Sequence, residues 1–265
     1  ALIVEWDDTG IPEVSSASLA AALKSSLAGK PLGFKSKGDV AAALGATPAV
    51  DVTYETPYQA HACMEPINCT AHVTDTSAEI WGPVQAPDWN RGHLAGALKL
   101  AMEQVKVNMT FLGGGFGRKA FTDFPLEAAL VSKAVKAPVQ VVWTREDDLS
   151  VGPFRPGAMY HVRGALKDGK ISAIEMTMAA QNLMAQEPGD TPKKPNDNVT
   201  EGLPETYLET IPNYQFGDIP LQAPVPVMWW RSVYSSTNGF AYESFLDEMA
   251  RAAKMDPIAF RRQHF

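Results

Sequence analysis

Three consecutive glycines, Gly113-Gly114-Gly115, join an alternating apolar segment to a helical one, and no other stretch restricts the fold as tightly. Ahead of them Val105, Val107, Met109 and Phe111 alternate with polar residues, the period of a half-buried strand. Beyond Gly113-Gly114-Gly115-Phe116-Gly117-Arg118, the pattern from Phe124 to Lys136 predicts a helix, with Asp123 as N-cap and Pro125 in the first turn. Val139 to Trp143 (VQVVW) is apolar almost throughout, as expected of a strand covered on both faces. Residues 105–143 are therefore expected to form a β–loop–α–β unit with a right-handed crossover, which places the chain among mixed α/β folds.

The remaining elements fit that class. Residues 1–6 and 49–55 read as strands, Ser15 to Leu27 as a helix capped by Ser15 or Ser16, and 38–45 as a short helical turn with Asp39 near its start. A domain boundary is expected near residue 50, separating 1–50 from 51–265. His72-Val73 and Glu79-Ile80-Trp81 read as strands of one sheet, and Trp89 to Val105 as a helix capped by Asp88 or Asn90. Two strands, 159–167 and 171–180, flank Asp168-Gly169, a strong hairpin signal. Residues 185–204 predict an exposed irregular loop, and 206–230 an extended, proline-broken stretch. A C-terminal helix, capped by Ser236 or Asn238, presents Phe240, Ala241, Phe245, Met249, Ala250 and Ala253 as one stripe, and Asp256-Pro257 opens a second helix.

Composition narrows the function classes. With 23 basic and 30 acidic residues the 265-residue chain carries a formal charge of −7 and no basic block, which argues against a nucleic-acid partner. No run of 18 apolar residues exists, so no transmembrane segment is expected. The two cysteines, Cys63 and Cys69, cannot supply the four thiolates of an iron–sulfur cluster, and they read as small buried residues. The chain opens Ala1-Leu2-Ile3-Val4-Glu5-Trp6, an apolar strand-like start that suggests the interior of a domain, and carries neither an initiator Met nor a basic leader.

Four constellations could carry chemistry. The glycine loop lets bare backbone approach a ligand, so it is either an anion- or oxo-binding site or a tight structural turn. It fails the dinucleotide pattern, because Arg118 stands where a third glycine is needed, and it fails the P-loop pattern, because Ala120 follows Lys119. In Tyr58-Gln59-Ala60-His61-Ala62-Cys63-Met64-Glu65-Pro66, an extended backbone would put His61, Cys63 and Glu65 on one face, as packing or beside a cofactor. Thr144-Arg145-Glu146-Asp147-Asp148 reads as a charge run with internal Arg–carboxylate pairing, placed after a strand. Arg231, in Trp230-Arg231-Ser232-Val233, could grip a phosphate or pterin, or stack on Trp229 or Trp230. The five histidines show no ligand spacing, and no residue is assigned as a direct metal ligand.

In order along the chain these pieces resemble the molybdopterin-binding large subunit of the xanthine dehydrogenase/aldehyde oxidase family, in its isoquinoline 1-oxidoreductase β-subunit-like branch. The resemblance runs through Tyr58-Gln59-Ala60-His61, Met64-Glu65-Pro66, Trp81-Gly82-Pro83-Val84-Gln85-Ala86-Pro87, the glycine loop, Trp143 to Asp148, Arg155-Pro156, Ile211-Pro212-Asn213-Tyr214, Trp230 to Val233, and Glu243 to Ala250 with Asp256-Pro257. It implies an α+β or mixed α/β molybdenum-cofactor-binding domain over 51–265, with 1–50 the tail of a hammerhead-like segment. It also implies hydroxylation of an aldehyde or N-heteroaromatic carbon with water as the oxygen source. Gln85 matches the glutamine whose amide contacts an oxo ligand of molybdenum, and 116 − 85 = 31 residues separate it from Phe116, as in the family. Gly114, Gly115, Phe116 and Gly117 match the loop facing the cofactor, and Arg231 matches a cofactor-contacting arginine. His61 and Glu65 match in position and carry no assigned chemistry.

The departures are as informative. The glutamate that follows the loop in xanthine-type enzymes is Ala120 here, their substrate-orienting arginine aligns with Gly202, and their stacking phenylalanine with Val233, which argues against purine oxidation. The family's catalytic glutamate lies in a Gly-x-Gly-Glu motif that this chain does not contain, so no catalytic residue is assigned here. The chain is accordingly expected to be part of a larger assembly, as a fragment, a processed chain or a split subunit. The resemblance implies a molybdenum–pterin cofactor in the cytosine dinucleotide form, shared with residues outside this chain. It implies three partners: the remainder of the large subunit or a second molybdenum-binding chain, a small [2Fe–2S] subunit, and a cytochrome c. A bacterial protein, periplasmic or cytoplasmic, is expected. The competing readings are a module that keeps the fold without the cofactor, and a generic nucleotide-binding α/β protein.

Overall fold

A computed structural model of the chain describes residues 3, 5–7, 9–10, 13–183, 200–203 and 205–264. The chain divides into two compact units, Ala1–Pro57 with Gly157–Pro224 and Asn238–Phe265, and Tyr58–Pro156 with Val225–Thr237.

The first unit is built on a five-stranded mixed sheet in the order β1-β9-β8-β7-β2, with β1 Leu32–Lys37, β2 Val50–Thr56, β7 Ala158–Lys167, β8 Lys170–Gln181 and β9 Asn213–Leu221. Only β8 and β9 run parallel. The β7–β8 hairpin turns on Asp168 and Gly169, at φ +52° and +75°, the left-handed pair that the Asp-Gly dipeptide predicts. Alternate residues of β7 and β8 meet helices on opposite faces. Met159 and Ala179 pack on Leu23 of α1 (Ser16–Ser26), and Ala165 and Ala173 on Val40 and Leu44 of α2 (Val40–Leu44). On the other face a Cβ at Gly164 would lie 2.5 Å from Phe245 of α7 (Ser235–Ala252), so a glycine lets that helix close onto the strand. Ser15 caps α1 with a reciprocal Ser15–Ser18 pair, Asp39 caps α2, and Asp256 caps α8 (Pro257–Arg262), all as the sequence leads one to expect.

The second unit carries a four-stranded mixed sheet, β5-β4-β3-β6, from β3 Asn68–Val73, β4 Ala78–Gly82, β5 Val105–Met109 and β6 Val139–Val142. Helices α3 (Pro87–Leu98) and α4 (Asp123–Val135) bury Leu94, Leu98, Phe124 and Ala128 against Ile67, Ala71 and Ile80.

Several expectations are corrected. Ile3, Glu5 and Trp6 carry no strand; the rest of 1–6 except these lies outside the described residues, as does most of the expected loop 185–204. Strand β6 is an edge strand with Gln140 and Val142 exposed, so its apolar run is not covered on both faces. β5 and β6 stand at opposite edges with β4 and β3 between them. Helix α3 stops at Leu98 rather than Val105, because Lys99 turns left-handed at φ +59° and Leu100 N–H donates to Ala95 O at 3.0 Å, a six-to-one closure. It starts at Pro87 after Ala86, not at an Asp88 or Asn90 cap. Residues Glu205–Thr210 form a helix, α6, inside the stretch expected to be extended. On α7 the buried stripe keeps Ala241, Phe245, Met249 and Ala250, while Phe240 is half exposed and meets Tyr54 edge-on at 5.9 Å. Replacing Phe245 by Ala should cost about 3–5 kcal/mol through the cavity it leaves; denaturant unfolding of the intact protein measures it, and a loss under about 1 kcal/mol would contradict this packing.

Candidate functional site

Strand directions gather the candidate residues at one end of the second sheet. β4 and β5 are parallel, and β3 is antiparallel to both β4 and β6, so the carboxyl ends of β4, β5 and β6 share an edge with the start of β3. Carboxyl ends are where open α/β sheets bind ligands. Gln85 follows β4, the glycine loop follows β5, Arg145 follows β6, and Glu65 precedes β3.

The loop is held from below by side chains. Gln85 Oε1 accepts from the N–H groups of Gly117 at 3.0 Å and Lys119 at 3.2 Å. A Cβ at Gly115 would sit 2.3 Å from that same oxygen, so only glycine lets the loop close over Gln85. Gly117 has φ +104°, and a Cβ there would meet Trp229 O at 2.0 Å. Phe116 O in turn accepts from Arg231 N–H at 2.8 Å, and His61 Nε2 lies 2.8 Å from Trp229 O. The Trp229–Arg231 segment is thereby fixed against the loop.

Two cations follow the loop and turn inward, which the sequence reading did not anticipate. Arg118 is buried; its guanidinium makes a two-pronged bond to Asp123, at 2.9 and 2.7 Å, and lies 5.3 Å from the centre of the Trp143 ring. This holds Asp123 inside the first turn of α4 and removes it from the N-cap role, which falls to Thr122 without a side-chain bond. Lys119, fully buried, bonds Glu65 Oε2 at 2.6 Å, and that oxygen also accepts from Gly113 N–H at 2.8 Å. Asn68 donates to Glu65 Oε1 at 3.1 Å. Burial raises the Glu65 pKa, and the Lys119, Gly113 and Asn68 donors more than offset it, leaving the carboxyl below its ordinary range. Arg145 pairs with the buried Asp148 at 2.6 Å and donates to Met64 O at 2.9 Å, so the charge run has the internal pairing expected of it. Burial pushes the Asp148 carboxyl up, against the pull of Arg145, Arg118 and Lys119.

Above these supports, the N–H groups of Gly114, Gly115 and Phe116 have no acceptor among the described residues. With Oε1 of Gln85 committed to two backbone donors, its amide NH2 is oriented as a donor and has no acceptor among the described residues either. Arg231 is exposed and its guanidinium has no partner among the described residues; the arginine that stacks on Trp230 is Arg155, at 5.5 Å. The residues thus brought together are Gln85, Gly114, Gly115, Phe116, Gly117 and Arg231, and the N–H groups left without an acceptor among them suit an electron-rich, anionic ligand. His61 and Cys63 are both buried behind the loop: burial lowers the His61 pKa and raises that of Cys63, whose thiol donates to Gly115 O at 3.4 Å.

Two outcomes are expected. Gly117→Ala should destabilise by at least about 2 kcal/mol, combining a strained φ with contact on Trp229 O; a denaturation midpoint equal to wild type would contradict the loop geometry. Cys63 and Cys69 are free, buried thiols, with Cys69 pushed up to about 12, so neither should react with iodoacetamide at pH 8 in the native protein, and both should react after unfolding. Mass spectrometry of labelled peptides reads this directly.

A family model described as the molybdopterin cofactor-binding domain matches residues 27–265. The chain is 32% identical over 230 residues to isoquinoline 1-oxidoreductase subunit beta of Brevundimonas diminuta, covering 81% of the chain and 27% of that protein. It is 34% identical over 223 residues to the aldehyde oxidoreductase molybdenum-binding subunit PaoC of Escherichia coli K12, covering 80% of the chain and 28% of the relative. The chain therefore spans less than a third of the length of these relatives. Among solved structures, quinoline 2-oxidoreductase from Pseudomonas putida 86 superposes with a TM-score of 0.70 at 20% identity, covering 89% of this chain and 31% of that one, a likeness of fold. With the family match running over most of its length, the chain belongs to the molybdopterin cofactor-binding domain family, of the xanthine dehydrogenase/aldehyde oxidase type.

Proposed function

We propose that the carboxyl ends of β4 and β5 hold a molybdenum–pterin cofactor, and that the chain serves as part of a molybdenum hydroxylase acting on an aldehyde or an N-heteroaromatic compound. The observation that carries this is the row of three unpaired amides, Gly114 to Phe116, next to a glutamine whose amide group is locked donor-side out. Oxo, dithiolene and phosphate groups of such a cofactor are acceptors and anions, and these N–H groups are donors without a partner among the described residues. The missing Cβ of Gly115 lets the loop close directly over the Gln85 oxygen, which keeps these donors side by side.

When bound, the cofactor supplies a two-electron redox centre and a Lewis acid. The chain's own residues bind and orient. Gln85 Nε2 and the loop amides donate hydrogen bonds, and their backbone and side-chain supports are already in place, so little reorganisation accompanies binding. Arg231, its backbone N–H bonded to Phe116 O, contributes an exposed positive charge suited to a pterin phosphate. His61, buried with a lowered pKa and set against Trp229 O, stays neutral near pH 7 and adds no charge to the site. The general base lies outside these residues, in keeping with the absence of a Gly-x-Gly-Glu motif from this chain. The two buried cysteines of this sequence cannot ligate a [2Fe–2S] cluster, and in this reading such clusters, as electron acceptors, lie on a partner subunit. The cytosine dinucleotide form of the pterin and a cytochrome c as final acceptor complete the reading. No helix among the described residues is long and apolar enough to cross a membrane.

Metal and pterin analysis of the purified intact protein tests the reading, with about one molybdenum and one pterin per chain expected. A folded protein free of both would instead favour a module that keeps the fold without the cofactor. Gln85→Ala should lower kcat/KM by roughly 10- to 100-fold, the loss of one hydrogen bond to a charged group; unchanged turnover at full cofactor loading would remove Gln85 from the site.

A further inference from the structure

The glycine loop begins at Gly113 and ends at the turn Arg118–Ala120, and one side chain spans the two ends. Glu65 Oε2 accepts from Gly113 N–H at 2.8 Å and from Lys119 Nζ at 2.6 Å, while Glu65 N–H donates to Gly113 O at 3.1 Å. Lys119 is 0% exposed at its side chain and Glu65 30%, so the ammonium depends on this carboxylate far more than the carboxylate depends on it. Among the described residues Lys119 Nζ has no other acceptor. Its backbone N–H is held by Gln85 Oε1. Loop start, loop end and Gln85 therefore share one connected set of bonds.

We propose that Glu65 and Lys119 are positioning residues that clamp the two ends of the glycine loop together and so fix the direction of the Gly114, Gly115 and Phe116 amides. The inference deepens the reading of this loop as a cofactor cradle and rests on it for its functional consequence, although the clamp itself is a property of this chain. The pair touches no ligand. It acts by stopping the loop from opening at Gly113, where a Cβ would already lie 2.4 Å from Glu65 Cβ and no slack exists. A clamp made of two groups has a signature that general packing lacks: either group alone is useless, so the two losses do not add.

The test is hydrogen–deuterium exchange of the intact protein for Glu65→Gln, Lys119→Met and the double variant, with molybdenum and pterin content measured on the same preparations. Lys119→Met is the safer arm, since the partly exposed Glu65 left behind can take up water, and it reads the clamp by itself if Glu65→Gln does not fold. Each single variant is expected to speed exchange in peptides spanning 110–121 by at least tenfold, with β3 and β4 within threefold of wild type and cofactor content at least halved. The double variant should match the worse single one. Loop exchange within threefold of wild type in Lys119→Met, an equal rise across β3 and β4, or multiplicative effects in the double variant would overturn the clamp. If wild type carries no molybdenum while the loop effects are selective and non-additive, the clamp stands and the cofactor reading fails.

Discussion

Two positive charges are buried directly beneath a glycine loop, and the site depends on their being met. Taking Arg118 and Lys119 out of water costs several kcal/mol each unless opposite charge lies in contact. Asp123 and Glu65 supply that charge, one from the first turn of α4 and the other from the segment ahead of β3. Each pair ties the loop to a different part of the second unit. A loop rich in glycine has little conformational preference of its own, and here its shape is imposed by what it is bonded to.

The functional consequence is a division of labour between side chains and backbone. Side chains do the holding: Glu65 at the loop's start, Gln85 at its end, Arg118 and Lys119 underneath. The exposed chemistry is left to main-chain amides and to the free half of one glutamine amide. Such groups carry no titratable proton near neutral pH and can approach a metal's ligands without side-chain bulk. The strand directions that put the ends of β4, β5 and β6 at one edge make this convergence possible.

Local signals in the sequence were legible wherever one residue type has one physical use. Asp168-Gly169 turned the hairpin, and Asp39, Ser15 and Asp256 capped their helices. Gln85 and Arg231 stood out through resemblance rather than periodicity. What stayed hidden was tertiary. Arg118 and Lys119 served in the sequence only to exclude nucleotide-loop patterns, because nothing local distinguishes a buried lysine whose partner lies 54 residues away. Asp123 looked like a cap and became a counter-ion. The strand β6 looked central by its apolar run, yet sheet order puts it at an edge, which no pattern within four residues can reveal.

The central claim is that the amides of Gly114, Gly115 and Phe116, with Gln85 Nε2, face the molybdenum–pterin group. A crystal structure of the intact, cofactor-loaded protein tests it most directly. Donor–acceptor distances of about 2.7–3.2 Å from at least two of those amides and from Gln85 Nε2 to cofactor atoms are expected. A cofactor seated elsewhere, with the three amides turned to protein acceptors, would contradict the account.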